Sequence, residues 1–233
     1  MALMSKAAIV TGAAQGIGKA IAARLVKDGM RVAIVDINQE AAVVAAEELA
    51  GQYGADTMAV QCDVSQEEQV NIAVQKVLER FGTVDVLVNN AGILSLKKPF
   101  VEYTKADWDK IFGINFMGDV FFCKAVIPTM KEKKAGRIIN MASQSAETGG
   151  LAASPIYAAS KAAVWCMTKS LAGEMGPYQV TVNAVAPATY DRDDPQRRLS
   201  GRHGPHEAPG VPLKTWPTWW ASWRARTAAM SLA

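Results

Sequence analysis

TGAAQGIG, residues Thr11–Gly18, stands between a short apolar run, Ala7–Gly12 (AAIVTG), and a segment with apolar residues at helical spacing, Ile17, Ala20, Ile21 and Leu25. A chain that leaves a strand through glycines and enters a helix gathers unpaired backbone N–H groups and the positive end of the helix dipole at one point. That point suits a pyrophosphate. Gly12, Gly16 and Gly18 follow the spacing G-x-x-x-G-x-G, not the G-x-G-x-x-G of many dinucleotide sites. Glycine-rich turns are common; this one gains its meaning from its place between strand and helix. Together with Gln15 and Ile17 it reads as a cofactor loop.

The alternation continues outward along the chain. Apolar runs at Arg31–Asp36 (RVAIVD), Thr57–Asp63 (TMAVQCD), Val84–Gly92 (VDVLVNNAG), Gly136–Ser143 (GRIINMAS) and Gln179–Ala186 (QVTVNAVA) predict five further strands. Between them lie predicted helices. The first is closed by Gly29, and the second runs from Asn38 to about Ala50 before Gly51. A third opens on a capping box, Ser65-x-x-Glu68, and carries the stripe Val70, Ala73, Val74, Val77, Leu78 and Phe81. A long helix spans Thr104 to Lys133, and another spans Ser154–Met175 and stops at Gly176-Pro177. Strands that are continuous apolar runs, alternating with helices, predict a parallel sheet covered on both faces. Right-handed crossovers wind such a sheet into the doubly wound α/β arrangement, a three-layer Rossmann fold that binds ligands at the carboxyl ends of its strands. Six strands are legible and a seventh is missing.

With 233 residues, half of them hydrophobic and a fifth charged, the chain reads as one globular domain with or without a tail. No long uninterrupted apolar run predicts a transmembrane helix. The opening MALMSKAAIV leads straight into a strand pattern and does not read as a signal peptide. Cys62, Cys123 and Cys166 are scattered and fit free thiols in a reducing cytoplasm better than a metal site or disulfide.

The acidic residues that end strands point to the cofactor. Asp36 lies 18 residues after Gly18, where a carboxylate accepts both ribose hydroxyls of an adenosine and repels a 2′-phosphate. Gln15 is neutral and no Arg follows Asp36, so the pattern favours NAD over NADP. Asp63, followed by Val64, reads either as an adenine contact or as a turn carboxylate. Tyr157 and Lys161 lie four apart on one helix, hence on one face. A nearby ammonium stabilises a phenolate, which can then take a hydroxyl proton as hydride leaves the carbon. Ser143, at the end of the fifth strand, can hydrogen-bond the reacting oxygen. Asn115, among Ile111, Phe112, Ile114 and Phe116, needs a buried partner. Each residue alone has a bland alternative: a surface pair, a cap, a structural amide.

Taken together, TGAAQGIG, Asp63, NNAG (Asn89–Gly92), Asn115, Ser143 and YAASK (Tyr157–Lys161) resemble the short-chain dehydrogenase/reductase family, from Lys6 to about Pro187. The resemblance implies a nicotinamide cofactor, NAD on the reading of Asp36, and a catalytic set of Asn115, Ser143, Tyr157 and Lys161. It implies that NNAG, with Asn89, Asn90, Ala91 and Gly92, packs beside the cofactor, that Lys161 binds the nicotinamide ribose, and that Pro187 closes on the carboxamide. It also implies a homodimer or homotetramer, with a small alcohol or carbonyl substrate and neither nucleic acid nor membrane as partner. NMASQSA (Asn140–Ala146) resembles the polyol and diol dehydrogenases, with 3-oxoacyl-thioester reductases as the alternative.

The resemblance stops where the composition changes. Residues 190–233 hold seven Lys and Arg against four Asp and Glu, four of the six Trp and both His, while the rest of the chain is balanced at eighteen of each charge. The expected Pro-Gly reads Pro187-Ala188, and no terminal Asp-Gly-Gly follows. Residues 1–189 therefore read as the catalytic domain and 190–233 as an irregular or mobile tail, translated from a shifted reading frame. The rivals are an evolved aromatic and basic segment for a membrane interface or partner, and a non-catalytic nucleotide-binding protein with an interaction tail.

Overall fold

Alternate side chains of the first strand point to opposite faces, and both faces are buried. In β1 (Ala7–Thr11), Ala7 and Ile9 enter one apolar cluster while Ala8 and Val10 enter another. A strand apolar on both sides needs a helical layer on each, and the fold supplies them. The computed structural model describes residues 6–149 and 154–187, all within one compact unit, residues 1–190. The elements run β1, α1 (Gly16–Lys27), β2 (Arg31–Asp36), α2 (Gln39–Tyr53), β3 (Thr57–Gln61), α3 (Glu67–Phe81), β4 (Val86–Asn89), α4 (Lys105–Phe112), α5 (Gly118–Lys133), β5 (Gly136–Met141), α6 (Ser145–Thr148), α7 (Pro155–Met175) and β6 (Val180–Val185).

All six strands are parallel, in the order β3-β2-β1-β4-β5-β6. The predicted doubly wound Rossmann sheet is therefore present, with its strand order reversing between β1 and β4. One face buries Ile9, Val35, Leu87, Ile138 and Val182 against α3, α5 and α7; the other buries Val10, Ile34 and Val88 against α1 and α2. The second helical layer covers only part of the sheet. Among the described residues no helix lies over that face of β6, where Thr181, Asn183 and Val185 are exposed. There β6 pairs with β5 alone. The predicted seventh-strand position and everything expected of residues 190–233 lie outside the described residues.

Three local expectations are corrected. The second helix passes through Gly51 and ends at Gly54, whose φ of 64° is left-handed, because one glycine inside a helix is tolerated and only the C-cap requires that geometry. The third helix starts at Glu67 with Gln66 as N-cap. Ser65 forms no capping box because its hydroxyl donates to Asp63 Oδ1 at 2.7 Å. The long helix is real but interrupted: α4 and α5 are joined by a π-helical turn, Gly113–Met117. By length and composition the run Lys105–Lys133 is apolar enough to cross a membrane, which the sequence reading did not find. Phe122, Cys123, Val126 and Met130 spend that apolarity on the protein's own core.

Candidate active site

The strand-order reversal puts the turn after β1 beside the turn after β4. Gly12 has φ +60°, and a Cβ there would stand 2.9 Å from Ala91 Cα. A Cβ on Gly18 would stand 2.2 Å from Gly12 O and 2.5 Å from Asn90 Nδ2. These glycines let the two turns and the start of α1 close on one another. Gly16, φ +57°, faces open space. Gln15 is the exposed N-cap of α1, and Ile17 is 57 % exposed in its first turn. The cradle is held by Asn90 of the NNAG motif, in a bonding role that the motif itself did not specify. Asn90 donates from Nδ2 to Thr11 O at 2.9 Å and Gly12 O at 3.1 Å, and Thr11 Oγ1 accepts from the backbones of Asn90 and Ala91. Its partners lie 78 and 79 residues away in sequence, so no local signal announces it.

Asp36, at the end of β2, accepts from Ala14 N at 3.0 Å and Asn38 N at 3.1 Å, which aims its carboxylate at the glycine loop. Asp63 makes a turn contact, its Oδ1 accepting from Ser65 N and Oγ. Val64 is buried beneath Gly118. Asn89 turns inward: it is 1 % exposed and donates to Asn140 Oδ1 at 2.9 Å. Of NNAG, then, Asn90, Ala91 and Gly92 border the crevice, and the Asn89 side chain does not. Pro187 is exposed, and its carbonyl accepts from Gln144 N at 3.2 Å.

Gly92 joins this edge to the chemical residues. A Cβ there would stand 3.4 Å from both Asn115 Oδ1 and Lys161 Nζ. Asn115 sits in the π-helical turn, fully buried. It accepts from Ile93 N at 2.8 Å and donates to Ile93 O at 3.0 Å and Ser160 Oγ at 3.2 Å. The extra residue of a π turn swings one side chain out of the regular helical stripe, here onto the loop after β4. Ser160 in turn donates to Tyr157 O at 2.8 Å, so the Asn115 turn and the Tyr157 helix are tied together. Lys161 Nζ donates to Met141 O, the end of β5, at 2.6 Å. Ser143 follows two residues later, half-buried, its Oγ accepting from Ser145 N. Tyr157 stands in the first turn of α7, where Ser154 caps the helix by accepting from Tyr157 N. Its own hydroxyl bonds to no described residue.

Burial shapes the charges. Lys161 is 4 % exposed, and desolvation lowers its pKa from the ordinary lysine value, a shift that the Asp119 carboxyl opposes when it is ionised. Cys62 and Cys123 are pushed up to about 12 by burial, so neither offers a thiolate. Among the described residues no group of His, Cys, Asp or Glu is placed to hold a metal ion. A dinucleotide fits what is present: a cradle that side chains would fill, an open helix N-terminus at Gly16 and a carboxylate fixed beside it. It would be held by Gly12, Gln15, Gly16, Ile17, Gly18 and Asp36 at one end and by Ala91, Gly92, Tyr157 and Lys161 at the other.

Comparison with known proteins agrees. The family profile described as short chain dehydrogenase matches residues 6–199. A sorbitol dehydrogenase of Cereibacter sphaeroides is 41 % identical over 192 residues, which are 82 % of this chain and 73 % of that protein. A D-threitol dehydrogenase of Mycolicibacterium smegmatis is 43 % identical over 185 residues, 79 % of this chain and 70 % of its own. The crystal structure of a xylitol dehydrogenase bound to NAD+ superposes with a TM-score of 0.75 at 36 % identity, covering 78 % of this chain and 70 % of that one. An L-sorbose reductase of Gluconobacter frateurii, complexed with NADPH and L-sorbose, has the same TM-score at 33 % identity, covering 78 % and 69 %. The chain belongs to the short-chain dehydrogenase family and is an oxidoreductase acting on CH–OH groups.

Proposed function

We propose that this protein is an NAD-dependent dehydrogenase of a sugar alcohol or related small polyol, interconverting a secondary alcohol and its ketone. The observation that carries the reading is the meeting of Asn115 and Lys161 at Gly92, with Tyr157 one helical turn before Lys161. The bound nicotinamide supplies the hydride acceptor or donor. In this reading Tyr157 takes the hydroxyl proton during oxidation and returns it during reduction. Lys161, held against the Met141 carbonyl, sits one helical turn after Tyr157 on the same helix face, where its charge favours the proton transfer. Ser143 holds the substrate oxygen. Asn115 keeps the π turn on Ile93, and through Ser160 keeps α7 in register with it.

NAD in preference to NADP is supported by Asp36, whose carboxylate is fixed beside the loop where a 2′-phosphate would be repelled. A polyol substrate is supported by the sorbitol, threitol and xylitol dehydrogenases among the relatives. A cytoplasmic homodimer or homotetramer completes the reading, with the free Cys62 and Cys123 supporting the compartment. The test is NADH absorbance across a panel of sugar alcohols, vicinal diols, acetoin-like ketones and 3-oxoacyl thioesters, run for the parent and Tyr157→Phe. Turnover on a polyol, abolished in Tyr157→Phe with cofactor binding retained, is the expected result. Turnover on thioesters alone would transfer the assignment to the acyl reductases, and cofactor binding with no turnover on any member would leave a nucleotide-binding role.

A further inference from the structure

One buried ionisable group stands apart from the chemistry proposed above. Asp119 opens α5, four residues after Asn115, and is 2 % exposed. Its Oδ2 is buried and meets no donor among the described residues, and the same is true of Asn89 Oδ1. The two residues touch through the Asn89 amide. The Asn89 amide nitrogen donates to the Asp119 main-chain carbonyl at 3.4 Å, as well as to Cys123 Sγ at 3.5 Å and Asn140 Oδ1 at 2.9 Å. Asn140 hands the connection on to Thr168 Oγ1 at 2.9 Å. This polar seam runs behind the ends of β4 and β5, on whose last residues the site is built.

A carboxylate with a bare oxygen in such a seam is expensive, whereas a neutral carboxylic acid is cheap. Burial raises the Asp119 carboxyl well above the usual carboxylate range, and the positive Lys161 opposes the shift without cancelling it. Lys161 from α7 and Cys123 from α5 are the titratable groups that interact with Asp119, and the thiol stays neutral up to about 12. From β4 the neighbour is the neutral amide Asn89, itself bonded to the neutral amide Asn140 of β5.

We propose that Asp119 is a positioning residue acting through Lys161: it is protonated in the free protein and releases that proton to solvent when the cationic ring of an oxidised nicotinamide enters beside Lys161, becoming the internal counter-charge of the site. The proposal rests on the nicotinamide reading above. A second positive charge next to a buried ammonium is unfavourable in a medium of low dielectric. An ionisable acid behind the ammonium relieves it, and the reduced ring, which is neutral, makes no such demand. Asp119 therefore biases the site toward the oxidised cofactor, and the bias disappears when the residue cannot ionise.

The test uses the full chain and infrared difference spectra with NAD+ or NADH added. NAD+ is expected to remove a buried carboxylic-acid C=O band and create carboxylate bands, NADH to do neither, and Asp119→Asn to lack the acid band. In equilibrium binding, Asp119→Asn is expected to shift the NAD+ to NADH affinity ratio toward NADH by about tenfold, the worth of one pKa unit. An acid band that persists in Asp119→Asn, or an unchanged affinity ratio, overturns the proposal. Should that variant not fold, the parent decides by itself: NAD+ that binds without loss of the acid band overturns the proposal and leaves the nicotinamide reading standing. NAD+ that does not bind, seen by equilibrium dialysis, sinks both.

Discussion

Gly16 and Gly18 sit two residues apart and answer differently to a methyl group. At Gly18 the added Cβ meets the Gly12 carbonyl at 2.2 Å and Ala13 Cα at 2.9 Å, both backbone, so the loop has to open. At Gly16 the space is empty, and only the left-handed φ of +57° resists. Gly16→Ala is expected to cost about 1–2 kcal/mol, whereas Gly18→Ala should cost more and abolish NADH binding, as thermal unfolding and NADH fluorescence will show. Asp36 makes a second prediction. Asp36→Asn with Ile37→Arg removes the repulsion and supplies a phosphate partner, so NADP should gain affinity and NAD lose it in titration; equal or tighter NADP binding by the parent would refute the role of Asp36. Lys161 makes a third. Its depressed pKa means that the ammonium is neutralised at lower pH than an ordinary lysine at 10.5. The alkaline fall in kcat/KM should therefore begin below that value, and a profile flat to it would refute the requirement for charge.

At the scale of elements, the helix that carries Tyr157 and Lys161 is only as well placed as its first turn. Ser154 is fully buried and accepts from Tyr157 N at 3.2 Å, so one side chain both caps α7 and steadies the residue proposed to move the proton. Ser154→Ala is expected to cost about 1 kcal/mol of stability and to lower kcat more than it raises the KM for cofactor, by steady-state kinetics. The helix N-terminus was legible because Ser154-Pro155 is a local start signal. The π turn at Gly113–Met117 was not legible. Asn115, among Ile111, Phe112, Ile114 and Phe116, reads as a mid-helix residue of one long helix, and it is its bonds to the Ile93 backbone 22 residues away that mark the turn. Ser65 misled for a related reason. Its spacing to Glu68 fits a capping box, but Asp63, two residues before it, takes the hydroxyl first.

Across the whole molecule, the sheet is buried on both sides over β1 and on one side over β6. Thr181, Asn183 and Val185 face outward from β6, and Val185 is 48 % exposed. The family match runs to residue 199, ten residues beyond the boundary at which composition changes. We infer that the sequence from about residue 190 onward comes from a shifted frame. The coding DNA read in its other frames there should then encode Pro-Gly and a later Asp-Gly-Gly. Finding neither, together with ordinary turnover of ~10 s⁻¹ by the 233-residue chain, would show the segment to be an authentic part of the enzyme. Sedimentation velocity is expected to find a dimer or tetramer, and a monomer would remove that part of the reading.

Strand positions, helix positions and the parallel sheet were all written locally, in apolar runs, helical stripes and glycine stops, because each depends on neighbours within a few residues. Gly12, Gly16, Gly18, Tyr157 and Lys161 were legible for the same reason: their spacing alone places them on one turn or one helix face. What tertiary structure alone decided are the contacts between segments far apart in sequence. Asn90 binds the turn that follows β1, and Asn89 faces the interior. Asn115 and Lys161 converge on Gly92. Asp119, which falls in the middle of the predicted long helix Thr104–Lys133, is a buried carboxyl with an oxygen that meets no donor among the described residues. A hydrogen bond across 79 residues leaves no period in the chain, and the burial of a charge is a property of what packs around it.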